Sequence, residues 1–346
     1  MSEPVTFVIA NHNYGRYLGQ AVDSLLQQSY APLEVVVVDD ASTDHETPLV
    51  LEHLSANPRV HIIRHTRGTG NRVADNEGIQ IARGDLVGTL DADDFCLTPD
   101  AVARQVEVFQ TDPSIAFVYT AYALCHADGK PLREYRPFPK DRVRDGLAEF
   151  AELALANHVS HSGTMVRRSY HQAVGGYDPR LRYAGDLDLW LRLAGRYRVG
   201  YIAEPLYAYR IHGGNMSVAR HSPAHANREI KAAVEHGFDA LPADAPADLR
   251  ALRPKAVQHV LMATTWGDRS LGRTRRAWQG LLDAAQRAPS LLATRMFYTA
   301  VARTALLSLL GHTRYQRLAS WRGNRPMGER ATTTHTHTGE TVAPAR

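Results

Sequence analysis

Val5 to Ala10 and Leu33 to Val38 are short β-branched runs, and between them Tyr17 to Gln28 sets Leu18, Val22, Leu25 and Leu26 on one helical face. This order is a βαβ unit, whose crossover makes its two strands parallel. Val60 to Arg64 reads as a third strand, Arg72 to Ala82 as a helix closed by Gly84, and Asp85 to Leu90 as a fourth strand. Such alternation predicts an α/β fold with a doubly wound, mainly parallel sheet flanked by helices.

Pro99 to Gln110 reads as helical and Ile115 to Ala121 as another strand, after which Asp128 and Gly129 mark a turn. Lys130 to Asp145 is polar and reads as a loop. Residues 147–156 and 186–194 read as helices and Tyr201 to Tyr209 as a late strand, an α+β pattern expected to supply an acceptor side. Residues 225–320 are predominantly helical by pattern, and Ala331 to Arg346, rich in Thr, Pro and charge, reads as disordered.

At 346 residues the chain can bury a large core and carry an appendage. Its two cysteines, Cys96 and Cys125, exclude a disulfide framework and cysteine metal ligation. The net charge of +4 is unevenly spread: residues 267–330 hold twelve arginines against Asp268, Asp283 and Glu329, leaving residues 1–266 at −5. Residues 291–321 mix apolar and aromatic residues with regularly placed arginines. That pattern suits an amphipathic helix on an anionic membrane surface, or a helix packed on the catalytic body or on a second copy in a homo-oligomer. Met296 to Leu310 is interrupted by Arg303 and falls short of the ~20 residues of a spanning helix. Met1 to Ala10 lacks a secretory signal pattern, so a cytoplasmic protein is expected, at the inner face of the membrane if the basic helices dock there. No nucleic-acid partner is expected, since no recognisable binding module is present.

Ligands of open parallel sheets bind beyond the carboxyl ends of the strands. Asn11 to Asn13, Asp39 with Asp40, and Asp91 to Asp94 all fall there. Carboxylates crowded like Asp91, Asp93 and Asp94 repel one another unless a cation or strong donors neutralise them, and Mg²⁺ or Mn²⁺ takes oxygen ligands. Turn formation or helix capping is the competing reading for any one cluster; three clusters at successive strand ends favour a site.

Phe7 to Leu18 (FVIANHNYGRYL), Val36 to Asp44 (VVVDDASTD), Gly84 to Asp94 (GDLVGTLDADD) and Gly185 to Leu193 (GDLDLWLRL) resemble, in order and spacing, the family 2 inverting glycosyltransferases. The resemblance covers residues 3–215 and implies the nucleotide-sugar-binding fold called GT-A. It implies a catalytic domain over 1–220, divided into a nucleotide-sugar half (1–122) and an acceptor half (123–220), followed by a helical region (221–322) and a disordered tail (323–346). By the same resemblance Ala10, Asn11 and Asn13 contact the nucleotide, Asp40 with Asp39 beside it reads the base, and Arg72 reaches phosphate. Asp91, Ala92 and Asp93 form the DXD motif, and Asp93, Asp94 and His212, from YRIHGGN, hold the Mg²⁺ or Mn²⁺. Asp186 is the implied catalytic base; His161, Ser162 and Trp190 are acceptor-side candidates, with Asp188 and Trp190 also read as anchors of their helix.

Two positions depart from the family pattern: Ala41 stands where Gly is usual and Asp75 where Arg is often found. The implied activity is metal-assisted single displacement from a nucleotide-diphosphate sugar to the hydroxyl of a glycan, lipid-linked or small-molecule acceptor, in polysaccharide, cell-envelope or other glycoconjugate biosynthesis. A catalytically silent nucleotide-sugar-binding module is the alternative of a different class. A sugar nucleotidyltransferase would need a Gly-rich basic loop after the first strand, and Asn11 to Tyr17 is not one.

Overall fold

In the computed structural model, which describes residues 3–215, 223–270 and 272–321, strands and helices alternate strictly through the first part of the chain. The order is β1 (Val5–Asn11), α1 (Gly15–Leu26), β2 (Leu33–Asp39), α2 (Glu46–Ser55), β3 (Val60–Arg64), α3 (Asn71–Ile81) and β4 (Leu86–Thr89). β2, β1 and β4 lie side by side with β3 outside β2, all parallel. Neighbouring residues of one strand serve opposite faces. Phe7, Ile9, Val35 and Val37 pack with Leu18, Val22 and Leu25 of α1, whereas Val8, Val36 and Val38 pack with Ala74 and Ile79 of α3. Both faces are covered, so these strands are apolar throughout. α3 lies so close that a Cβ on Gly78 would fall 2.4 Å from Val8 Cγ1.

The next elements are β5 (Phe95–Cys96), α4 (Ala101–Thr111), β6 (Ile115–His126), β7 (Pro131–Tyr135), β8 (Arg142–Arg144), α5 (Gly146–Leu155), β9 (Met165–Arg167), α6 (Arg168–Ala173), α7 (Gly185–Ala194) and β10 (Arg198–Ile211). β9 runs antiparallel between β4 and β6, joining the parallel set to the parallel pair β6/β10. The doubly wound, mainly parallel sheet expected from the alternation is present.

Residues 130–145 are not a loop throughout: β7 pairs with β6 and β8 with β10, both antiparallel. Their side chains are mostly exposed or half-buried, so no apolar alternation marks them, and distant partners supply the pairing. The helix α2, with only Thr47, Leu51 and Leu54 buried, also lacked a strong pattern.

The chain continues through α8 (Pro223–Asp239), α9 (Ala247–Ala251), α10 (Arg253–Ser270), α11 (Thr274–Arg287) and α12 (Arg295–Trp321), the last broken at Gly311 by a φ of 69°. Phe150 of α5 and Leu187, Trp190 and Leu191 of α7 share one core with Val234 and Phe238 of α8 and with Val257 and Leu261 of α10. Gly237 permits the approach, since a Cβ there would meet Leu191 Cβ at 2.7 Å. The helical region thus packs on the catalytic body through α8 and α10, whereas α12, which covers most of residues 291–321, lies against α10 and α11. Leu309, on the outer side of α12, stays 83% exposed. Among the described residues no helix is long and apolar enough to cross a membrane. The expected disordered tail, 323–346, lies outside the described residues.

Phe238 is buried edge-on to Phe150, ring centroids 5.0 Å apart. Phe238→Ala is expected to destabilise the whole chain by about 3–5 kcal/mol, measured by urea unfolding followed at the catalytic core. A loosely attached appendage would leave that transition unmoved.

Candidate active site

The register of β1 on β2 places Asn11 directly beside Asp39. Asn11 Nδ2 donates to Asp39 Oδ1 at 2.9 Å, Ser42 Oγ donates to the same oxygen at 2.5 Å, and Asn11 Oδ1 is buried without a partner. Asn13, at φ 64°, accepts on Oδ1 from the backbone N–H groups of Thr43 (2.6 Å) and Asp44 (3.1 Å). Ala10 is the half-buried residue before Asn11. Ala41 has a φ of 58°, a left-handed conformation that strains a residue with a Cβ by about 1–2 kcal/mol. Glycine's absence of a Cβ explains why it suits this position.

Asp40 turns inward. Its Oδ1 accepts from Thr69 N (2.6 Å) and Thr69 Oγ1 (2.8 Å) and lies 2.8 Å from His65 Nδ1, while Oδ2 accepts from Gly70 N at 2.7 Å. Burial alone would raise this carboxyl, but the surrounding donors outweigh it and hold it down to about 2. In this arrangement the Asp40 carboxylate tethers residues 65–70.

The turn after β4 carries three carboxylates, each with different partners. Asp91 Oδ1 lies 2.9 Å from His161 Nδ1, and Asp91 N donates to Ser162 Oγ at 3.2 Å. Asp93 Oδ2 accepts from Asn215 Nδ2 at 3.0 Å and lies 2.9 Å from His212 Nε2. Asp94 Oδ1 accepts from Arg210 N at 2.8 Å, while its Oδ2 is buried and unpartnered. Ala92 fills the core beneath them. Burial first, then Asp91, pushes the Asp93 carboxyl up to about 6, with His212 opposing. Burial, then Asp93 and Asp91, raises Asp94 well above the carboxylate range. Asp91 goes the other way: burial pulls it up, but His161 and Arg72 prevail and lower it. His161 is in turn held up at about 9 against its burial, chiefly by Asp91 and Asp75.

Arg72 is buried beneath this turn. Its Nη1 donates to Asp75 Oδ2 at 2.8 Å, and Asp75 Oδ2 lies 3.5 Å from His161 Nε2, so Arg72, Asp75, His161 and Asp91 form one line of alternating charge. On its other side Arg72 meets the start of α7, where a Cβ on Gly185 would fall 2.9 Å from Arg72 Nε. Asp186 follows. It is the one residue of α7 that is not buried, and its Oδ1 accepts from Leu187 N at 2.8 Å.

Arg72, Asp91, Asp93, Asp94, His161, Ser162 and His212 are thus linked around one turn, Asn11 and Asp39 pair at the neighbouring strand ends, and Gly185, against Arg72, precedes Asp186. Three acceptor-side expectations change. Trp190 is 0% exposed, its ring 5.1 Å from that of Phe117, because α7 is enclosed on all sides after its first residues. It anchors the helix, as does Asp188, paired with Arg192 at 2.6 Å. His161 and Ser162 face the Asp91 turn and hold it. The pairing of Arg72 with Asp75 also removes the arginine from solvent.

Tyr14 and Tyr17 escaped the sequence reading, whereas Arg210 was, with Arg72, a candidate phosphate contact. Tyr14 and Tyr17 flank His212 at ring distances of 5.6 and 5.0 Å, and Tyr14 Oη donates to Gly214 O at 2.9 Å. Arg210, also buried, donates from Nε to Asp93 O (2.6 Å) and from Nη2 to Gln20 Oε1 (2.8 Å). Only the Gly-Gly-Asn run after His212 signalled a built loop.

Among the described residues, three ligand atoms converge within 4.8 Å only at Glu149, Glu152 and His158. There Arg144 bonds both glutamates at 2.9 Å, which makes the cluster an ion-pair network. The Asp91–Asp94 turn is less tightly drawn, yet its chemistry fits a hard divalent cation: an orphaned buried carboxylate oxygen and two carboxyls raised by burial and then by neighbouring carboxylates.

Residues 6–175 match the family described as Glycosyl transferase family 2. A hyaluronan synthase of Pasteurella multocida is 29% identical over 218 residues, 62% of this chain but 21% of that one, so the chain spans about a fifth of that relative's length. An uncharacterised glycosyltransferase of a Nostoc species is 30% identical over 241 residues, 68% of this chain and 72% of that one. S. aureus TarS 1–349 in complex with UDP-GlcNAc is similar in fold, with a TM-score of 0.64 at 16% identity over 92% of each chain. So is a mannosyltransferase from Pyrobaculum calidifontis in complex with GDP-Man and Mn²⁺, with a TM-score of 0.55 at 19% identity over 94% of this chain and 85% of that one.

The raised Asp93 carboxyl has a measurable consequence. Its folded pKa of about 6 lies above the ordinary carboxylate value of 3.8, so the folded state binds this proton more tightly than the unfolded chain and loses stability as pH rises from about 4 through about 6. In EDTA, Asp93→Asn is expected to stabilise the protein by about 2 kcal/mol at pH 8, with the gain fading toward pH 4. Equal unfolding midpoints for both proteins at pH 8 would show that the repulsion is absent.

Proposed function

The chain belongs to glycosyl transferase family 2, and we propose that it transfers a sugar from a nucleoside diphosphate sugar to an acceptor hydroxyl with inversion at the anomeric carbon. Asp186 carries the proposal: a single accessible carboxylate at the head of an otherwise buried helix, packed beside an arginine that ties it to the carboxylate turn.

In this reading Asn11, Asn13 and Asp39 grip the nucleoside, Asn11 offering its unpartnered Oδ1, while Asp91 to Asp93 take the ribose and diphosphate. Asp93 and Asp94, with His212, are the residues that would hold Mg²⁺ or Mn²⁺, whose Lewis acidity offsets the charge developing on the departing diphosphate. The Mn²⁺ and GDP-Man in one structural neighbour and the UDP-GlcNAc in another support this assignment of the rim. Asp186 removes the proton from the acceptor hydroxyl as its oxygen attacks the anomeric carbon. The bond to the diphosphate breaks on the opposite face, and the nucleoside diphosphate leaves.

His161 and Ser162 serve the donor side by fixing Asp91. The proposed halves, 1–122 and 123–220, meet where Asp93 bonds Asn215 and lies against His212. Similarity to a hyaluronan synthase supports a growing glycan or other glycoconjugate as acceptor.

Asp186→Asn keeps the oxygen that accepts from Leu187 N and removes the base. Transfer from UDP- and GDP-sugars in Mn²⁺ is expected to fall by about 10³-fold, with nucleotide affinity retained in calorimetry. Unchanged turnover would eliminate Asp186 as the base. Nucleotide binding without transfer by the wild-type protein, across donors, would identify a silent binding module instead.

A further inference from the structure

The helical region contains a cavity of about 230 Å³ between α10 and α12. Arg269 enters it from α10, and Arg295 and Arg303, eight residues apart and so two turns along one face, enter from α12. Trp266 and Met296 supply apolar wall. No carboxylate lines it: Asp268, next in sequence to Arg269, is engaged by Arg273 at 3.8 Å and Arg276 at 3.3 Å. Among the described residues neither Arg295 nor Arg303 has an acidic partner within ion-pair distance.

Arg269 is 4% exposed and its Nη1 is buried with no hydrogen-bond partner. Burial depresses this guanidinium, Arg303 adds to the effect and Tyr315 opposes it. A buried guanidinium N–H left unmatched beside two like charges is unfavourable, and an oxyanion relieves both faults at once. Guanidinium groups suit phosphate through paired N–H donors. The volume is below that of sites for drug-sized ligands and matches a compact anionic group with a small apolar neighbour against Trp266.

We propose that this cavity binds a phosphate group, with Arg269, Arg295 and Arg303 as its donors. The phosphate belongs either to a soluble phosphate or to the headgroup of an anionic phospholipid. The assignment does not depend on the sugar-transfer reading, because none of these residues takes part in it.

The full-length chain is titrated with inorganic phosphate by calorimetry in EDTA, where the Asp91–Asp94 turn offers an anion only negative charge. In parallel it is floated with vesicles of phosphatidylglycerol and phosphatidylcholine, and with phosphatidylcholine alone. Arg295 and Arg303 are accessible enough to replace without disturbing the core. In whichever arm binds, the R295Q/R303Q variant is expected to lose affinity at least about tenfold, whereas R314Q, an exposed arginine of α12 outside the cavity, leaves it unchanged. Binding of inorganic phosphate identifies a soluble ligand; binding only to phosphatidylglycerol vesicles identifies a headgroup. The proposal is overturned if neither probe binds, if the double variant binds as the wild type does, or if R314Q weakens binding as much.

Discussion

Three carboxylates within four residues, at the buried end of a strand, cannot all ionise without opposing charge. The candidate site is organised around that constraint. Asp91 is answered by His161 and, more remotely, Arg72; Asp93 by His212 and Asn215; Asp94 by the backbone of Arg210, with one oxygen left over. Apart from Arg72, these partners come from segments about 70 to 122 residues further along, so the turn has its electrostatic form only after β9 has entered between β4 and β6 and β10 has paired with β6. Folding of the second half is therefore a condition for the chemistry of the first.

This explains why legibility in the sequence was uneven. Val5 to Ala10 and Leu33 to Val38 announce themselves because both faces of a central parallel strand must be apolar, and Asp91 to Asp94 because such crowding at a strand end has few physical readings. β7 and β9 lack either signal: one is exposed, the other three residues long, and both owe their conformation to ladders with distant strands. His161 and Ser162 read as acceptor-side residues because their polar side chains were visible but their direction was not. Trp190 carried two readings, acceptor contact and helix anchor, for the converse reason. A tryptophan four residues from a proposed base looks like a sugar platform until α8 is seen to close over that helix.

The C-terminal helices show a similar division between what pattern states and what packing decides. α8 and α10 complete the core around α7 and α5, and the apolar stripe of α12 is taken up by α10 and α11. That burial leaves the arginine excess unexplained, for a packed helix needs no cations at its inner edge. Arg273 and Arg276 are accounted for by Asp268; the guanidinium groups around the cavity are not.

The substitution at Asp75 gains a physical reason from its surroundings. Arg72 is buried against the ring of Tyr177, its guanidinium carbon 5.0 Å from the centroid, and a second arginine one turn later would place two buried cations together beneath the carboxylate turn. Asp75 instead neutralises Arg72 and, through His161, steadies the charge on Asp91. Removing one partner from a buried pair typically costs about 3–5 kcal/mol, so Arg72, Asp75 and His161 behave as a unit. Gly185 extends that unit to the head of α7: only with no side chain there does Arg72 reach the helix that carries Asp186. The departure from the family pattern thus places a buried ion pair, rather than a second arginine, between the carboxylate turn and the head of α7.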